Sequence, residues 1–211
     1  MSLDGIDVSH HQGQVKWSRV AGAGIAFAYA KATEGATFRD SVFSTNWREM
    51  KEAGLRRGAY HFFRPSTPAA AQIDSFAAAV GQLDIADLPP MIDIEEAPIH
   101  GGGGDEWDTV AADARVPLVL AALARVKERF GRRPIVYVRR GFITAKLPHA
   151  DALGEFPLWV AHFTDAPQPS IPAQWTRWTF WQHSEQGQVD GIAGPVDLDR
   201  FNGTVTELGQ L

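Results

Sequence analysis

The chain of 211 residues carries 20 basic against 25 acidic side chains, for a net charge of −5, and contains no cysteine. That length suits one medium domain with a sizeable core. The acidic balance argues against a nucleic-acid partner, which calls for a basic patch, and the missing thiol excludes disulfides, thiolate nucleophiles and cysteine zinc sites. The basic pairs Arg56-Arg57, Arg132-Arg133 and Arg139-Arg140 read as solvated surface. Seven tryptophans and twelve phenylalanines read first as core and second as platforms for stacking on sugars. No apolar run reaches the ~20 residues that span a bilayer. The opening MSLDGIDVSHHQG lacks a basic region followed by an apolar stretch, so no signal peptide is expected, and residues 1–3 read as an expression scar.

In chain order, GIDVS (5–9) is a predicted first strand, and VKWSRVAGAG (15–24) a short helix ending at glycine. IAFAYAKAT (25–33) is the second strand, followed by SVFSTNWREMKEAG (41–54), an amphipathic helix stopped by Gly54. GAYHFFR (58–64) is the third strand, and TPAAAQIDSFAAAVGQL (67–83) a helix with proline at its start. PMIDIEE (90–96) is the fourth strand. DTVAADARVPLVLAALARVKERFG (108–131) holds a helix best placed from Pro117 to Phe130, and RPIVYVR (133–139) is the fifth strand. PLWVAHF (157–163), RWTFWQHS (177–184) and GPVDLDRF (194–201) are strand-like, with only irregular segments between them. Five βα steps followed by three strands predict a single-domain α/β barrel, TIM-barrel-like with an irregular second half. An open doubly wound sheet is disfavoured, because no glycine-rich phosphate loop follows the first strand. GGGG (101–104) reads as flexible chain, since no helix start with Lys-Ser/Thr follows it.

Parallel barrels place their sites at the C-terminal ends of the strands, and acids recur there: Asp7, Glu34, Asp93, Glu95, Glu96 and, in the last strand, Asp197. Strand alternation puts Asp93 and Glu95 on one face and Glu96 on the other, while Ile92 and Ile94 turn toward the helix layer. Two carboxylates sharing a face repel, so one keeps its proton near neutral pH. Glycoside hydrolysis needs such a donor. The pair alone fits equally a salt-bridged pair or an oxygen-ligated Mg²⁺ or Ca²⁺ site; the further acids favour a site without separating hydrolase from metal. His61, His162 and His183 fall in strands and His10, His11, His100 and His149 in loops. None has HExxH spacing, so hydrogen-bonded structural roles are expected. No Gly-x-Ser-x-Gly elbow is present.

GIDVSHHQGQVKW, AYAKATEG, GAYHFFRP, MIDIEE, PLWVAHFT and FWQHSEQGQVDGIAGPVDLDRF occur in order. With these segments the sequence resembles glycoside hydrolase family 25, the Chalaropsis-type lysozymes (N-acetylmuramidases), over nearly its whole length. The resemblance implies a flattened (β/α)₅β₃ barrel, a single catalytic domain over 1–211, and a groove for peptidoglycan glycan strands. It implies cleavage of the β-1,4 bond between N-acetylmuramic acid and N-acetylglucosamine by a cofactor-free, metal-free monomer, with no nucleic-acid or membrane partner, acting outside the cell, in the periplasm or after release by a phage. Glu95 would be the general acid and Asp93 would orient or stabilise the reacting sugar. Asp7, Glu34 and Asp197 would complete an acidic floor, and Lys31, Tyr60, Phe62, Tyr137, Trp159 and Gln182 would line the groove. Two departures from the family pattern stand out: Asp199 occupies a usual asparagine position, and His10-His11 fills the first loop. A glycan-binding module without turnover and a hydrolase of chitin-like glycans are the alternatives.

Overall fold

The computed structural model describes residues 2–211. Eight of its strands close into a barrel: β1 (Leu3–Val8), β2 (Phe27–Glu34), β4 (Arg56–Phe62), β5 (Met91–Ile94), β6 (Ile135–Arg139), β7 (Leu158–Ala161), β8 (Phe180–Gly187) and β9 (Val196–Phe201). A two-residue strand, β3 (Phe38–Arg39), extends the end of β2. Neighbours from β1 round to β8 are parallel, and β9 closes the ring antiparallel to both β8 and β1. Five crossovers carry helices: α1 (Trp17–Gly22), α2 (Phe43–Glu52), α3 (Ala69–Val80), α4 (Ala112–Phe130) and α5 (Arg140–Lys146). A final turn of helix, α6 (Val205–Leu208), follows β9. The architecture is therefore the (β/α)₅β₃ barrel expected from the sequence. Among the described residues no helix is long and apolar enough to cross a membrane.

The pleat divides the apolar residues into two bodies. Outward positions such as Ile6, Ala28, Ala30, Ile92, Ile94, Val136, Val138 and Val160 pack against the helices. Inward positions Phe27, Tyr29, Met91, Ile135, Trp159, Phe180 and Phe201 fill the barrel. The fill is aromatic: Trp159 stacks on Phe180 with ring centroids 4.8 Å apart, and Tyr29 meets Trp159 edge-on at 4.8 Å. Such large rings fit because facing positions are empty. A Cβ on Gly58 would lie 2.2 Å from the Tyr29 ring, and one on Gly5 would lie 2.2 Å from Phe27. Burying each large apolar side chain contributes ~1.5–3 kcal/mol, and the aromatic surplus is spent mainly here and under the helices: Trp107, Trp159 and Trp181 are each fully buried.

Two elements differ from expectation. Helix α4 begins at Ala112 and carries Pro117 inside it. Val116, Val119, Leu123 and Val126 form one buried stripe that spans the proline. Arg115 ties the early turns to the carbonyls of Val110 and Lys146. Helix α5 was not expected, because it follows β6 with no intervening loop residue to mark its start. The basic pairs are also not uniformly solvated: Arg57 is buried against Asp87 at 2.7 Å with its guanidinium over Trp47.

Candidate active site

At the C-terminal end of the parallel strands the inward-facing layer turns from aromatic to polar. Asp7, Lys31, Tyr60, Phe62, Asp93, Glu95, Tyr137, Gln182 and Asp197, delivered by seven of the eight barrel strands, line one cavity of about 330 Å³. A larger cavity of about 530 Å³ opens at the other end of the barrel, beside Pro157, Leu158 and the chain's last residues. It holds no comparable set of acids, so the chemistry belongs to the smaller one.

The fourth parallel strand delivers the central pair. Asp93 is almost fully buried, Glu95 is half-buried, and Glu96 is exposed. The strand end is pinned by neighbouring loops: the Trp107 indole N–H donates to the Glu95 carbonyl at 2.8 Å, and Asp105 accepts from the Ala97 and Trp107 amides. Burial and the nearby Glu95 charge push the Asp93 carboxyl well above its usual range. Its Oδ1 is buried with no donor in reach. Burial also raises Glu95, with the Arg139 guanidinium working against the rise.

Asp7 and Asp197 face each other across the antiparallel β1–β9 pair. Tyr137 donates its hydroxyl to Gln182 Oε1 at 2.8 Å, and Gln182 Nε2 donates to Asp7 Oδ2 at 2.7 Å, a chain that fixes Asp7 from the side. Burial lifts Asp7 to about 6, held back by the Gln182 hydrogen bond. Asp197 rises to about 8 through burial and the facing Asp7. Several acids here keep or share protons near neutral pH, which is the condition for proton transfer to a bound oxygen.

Two expected residues are placed elsewhere. Trp159 is fully buried in the barrel fill and does not line the cavity. Its strand position points inward but too deep, and Ala161 is the next inward residue toward the opening. Glu34 stands on the flank, outside the lining, paired with Lys31 at 2.6 Å and with Arg64. Burial alone would raise the Glu34 carboxyl, but Lys31 and Arg64 together outweigh it and hold it below its ordinary value. Glu34 thereby braces Lys31, whose ammonium lies 4.9 Å from the Phe62 ring centroid.

Arg139, Glu185, Ser9, His11 and Gln12 also line the cavity and were not expected as site residues: Arg139 was read as solvated surface and His11 as a loop residue with a structural role. Arg139 was readable: it lies two residues beyond Tyr137 on the same strand face. Glu185 was hidden by an irregularity in the β8–β9 register between Gln182 and Ser184, which breaks the parity count. The His10 and His11 rings lie 4.1 Å apart, tilted by 37°, and His10 Nδ1 is paired with Asp40 at 2.8 Å. His61 lies outside the barrel wall, bonded to Thr33 and Gln72, and burial holds it neutral with a pKa of about 4.

The family model for glycosyl hydrolases family 25 matches residues 6–192. Lysozyme M1 of Streptomyces globisporus is 37% identical over 98% of this chain and 70% of its own length. The N,O-diacetylmuramidase of a Chalaropsis species is 30% identical over 93% of this chain and 96% of its own. The crystal structure of a bacterial lysozyme from Streptomyces coelicolor superposes with a TM-score of 0.92 at 37% identity, covering 99% of this chain and 96% of that one.

Proposed function

The chain belongs to glycosyl hydrolases family 25, and from that membership we propose how its cavity cleaves glycan. The protein is a glycoside hydrolase of the lysozyme type, a muramidase that acts on peptidoglycan. In our reading Glu95 is the general acid. It is the member of the central pair with a path to solvent and substrate, and its raised pKa keeps a proton available for the leaving oxygen. Asp93 receives the N–H of the substrate's 2-acetamido group, whose carbonyl oxygen attacks the anomeric carbon as the glycosidic bond breaks. The observation that carries this reading is the placement of Asp93 on the cavity lining beside the more accessible Glu95, with a carboxyl oxygen that has no hydrogen-bond partner within the protein and so is free to accept from a sugar amide. Asp7 supplies negative potential beneath the oxocarbenium-like centre with Asp197 facing it as a protonated partner near neutral pH, and Lys31, Tyr60, Phe62, Tyr137 and Gln182 hold the sugar and the floor. In our reading the enzyme works as a monomer, since the cavity calls on no residue beyond this chain.

The test is digestion of purified peptidoglycan. Wild-type enzyme is expected to release muramic acid at the new reducing ends, and Glu95→Gln to lose about 10²–10⁴-fold in turnover. Full activity in that variant overturns the assignment of the acid. Proton NMR at early times is expected to show the β-anomer, and an α-anomer as first product excludes acetamide assistance.

A further inference from the structure

One buried acid has no place in the reaction described above. Asp199 lies on the inner face of β9, across from Gly5 of β1 on one side and Gln182 of β8 on the other. Its side chain is inaccessible to solvent, and no donor bonds either carboxylate oxygen. It does not line the catalytic cavity but sits one layer below it.

The groups around it leave few options. On β1 the neighbour directly opposite is Gly5, which has no side chain, and the next inward residue is Asp7, diagonal to Asp199. On β9 itself the next inward residue is Asp197. On β8 the Gln182 amide is already committed to Asp7 and Tyr137. On β2 the Tyr29 hydroxyl is committed to the Pro89 carbonyl at 2.9 Å. On β7 the Trp159 indole N–H, buried and unpaired, is turned toward Asp199. Among the described residues no cation forms an ion pair with Asp7, Asp197 or Asp199.

An ionised carboxylate in such surroundings is untenable and takes up a proton instead. Burial, followed by the charges of Asp7 and Asp197, drives the same result. A carboxylic acid has one O–H to place, and the acceptor nearest to hand is a carboxylate of the floor.

We propose that Asp199 is a positioning residue: a neutral acid that donates its O–H to Asp7 from below while Gln182 donates to Asp7 from the side. Two donors fix the negative charge of the Asp7–Asp197–Asp199 trio on Asp7 and set its direction under the sugar. Asp199 touches no substrate. Its effect on the reaction rests on the reading of Asp7 as part of the catalytic floor, whereas its protonation state does not.

The experiment compares Asp199→Asn and Asp199→Leu with the wild-type enzyme. In infrared spectra at pH 7, wild type minus D199N is expected to show the loss of one protonated carboxyl stretch. This needs no turnover and no role for Asp7, so it separates failure of the present proposal from failure of the proposed mechanism. Removing the donor in D199L is expected to lower kcat about tenfold with little change in KM, and to move the acid limb of the pH–rate profile upward by about one pH unit, because the ionised form of Asp7 has lost a hydrogen bond. D199N, whose amide can donate in the same direction, is expected to restore kcat to within about threefold and return the acid limb. No protonated carboxyl lost in the infrared difference overturns the proposal. So does a D199N enzyme with an acid limb displaced as far as predicted for D199L, a comparison that stands even if D199L does not fold.

Discussion

The guanidinium of Arg139 is the largest opposing charge on Glu95, and among the described residues no carboxylate lies within ion-pair distance of it. Its Nε is buried without a partner. A cation in this position stabilises the ionised form of Glu95 and lowers the pH at which the acid gives up its proton. Replacing it with Gln removes that pull and raises the Glu95 pKa further. The alkaline limb of the kcat/KM profile is therefore expected to move to higher pH in R139Q; a limb that stays in place or falls argues that another group is the acid. Arg139 was within reach of sequence reasoning, since strand parity ties it to Tyr137. Trp159 was not, because parity gives the face of a strand and not the depth within a barrel. Tyr137 and Trp159 are paired in register, yet the Tyr137 hydroxyl reaches the cavity while the Trp159 indole remains in the fill below.

The catalytic strand β5 is only four residues long, and Glu95 lies just past its end. What holds that acid is not the β ladder but the short turn Glu106–Thr109, which presents Trp107 beneath it. Trp107 is itself locked between Phe63 and Phe142, with ring centroids 5.8 and 5.4 Å away. Trp107→Phe keeps an aromatic ring but removes the N–H and leaves a small void. It is expected to destabilise the fold by ~1–3 kcal/mol, read from the urea midpoint, and to lower kcat more than it raises KM, since the acid loses its support. Equal loss in an unrelated core variant of the same stability would remove the argument for a specific link to Glu95. The residues that do this lie more than ten positions beyond the strand, in a stretch whose glycines 101–104 all adopt positive φ. From sequence that stretch reads as loose chain. In the fold it is a turn bracketed by the Pro98–Asp105 bridge, and it returns Asp105 and Trp107 to the strand.

Across the whole molecule the acidic floor makes stability depend on pH in a definite direction. Asp197, raised to about 8, binds its proton more tightly in the folded than in the unfolded state. Its contribution is complete below the ordinary carboxylate value and is lost as pH rises toward 8. Asp7 behaves alike up to about 6. His61 acts oppositely: it is neutral in the fold down to about 4, so its contribution is present above the unfolded histidine value and lost as pH falls through about 4. Between about pH 4 and 6.5 the two effects oppose one another; between about 6.5 and 8 only the acids remain. Tm is expected to fall over that upper interval, and Asp197→Asn to flatten the slope; an unchanged slope would mean that Asp197 is ionised throughout. By itself the sequence determined the order of elements, the five βα steps and three strands, and the facing of Asp93 and Glu95, because these follow from local periodicity and the two-residue pleat. The tertiary structure alone decided which inward residues reach the opening, which lie in the fill, and which acids are left without donors. Those outcomes depend on barrel closure: β9 running back against β1 is what sets Asp197 opposite Asp7 and buries Asp199 beneath them, and nothing local to either segment encodes that meeting.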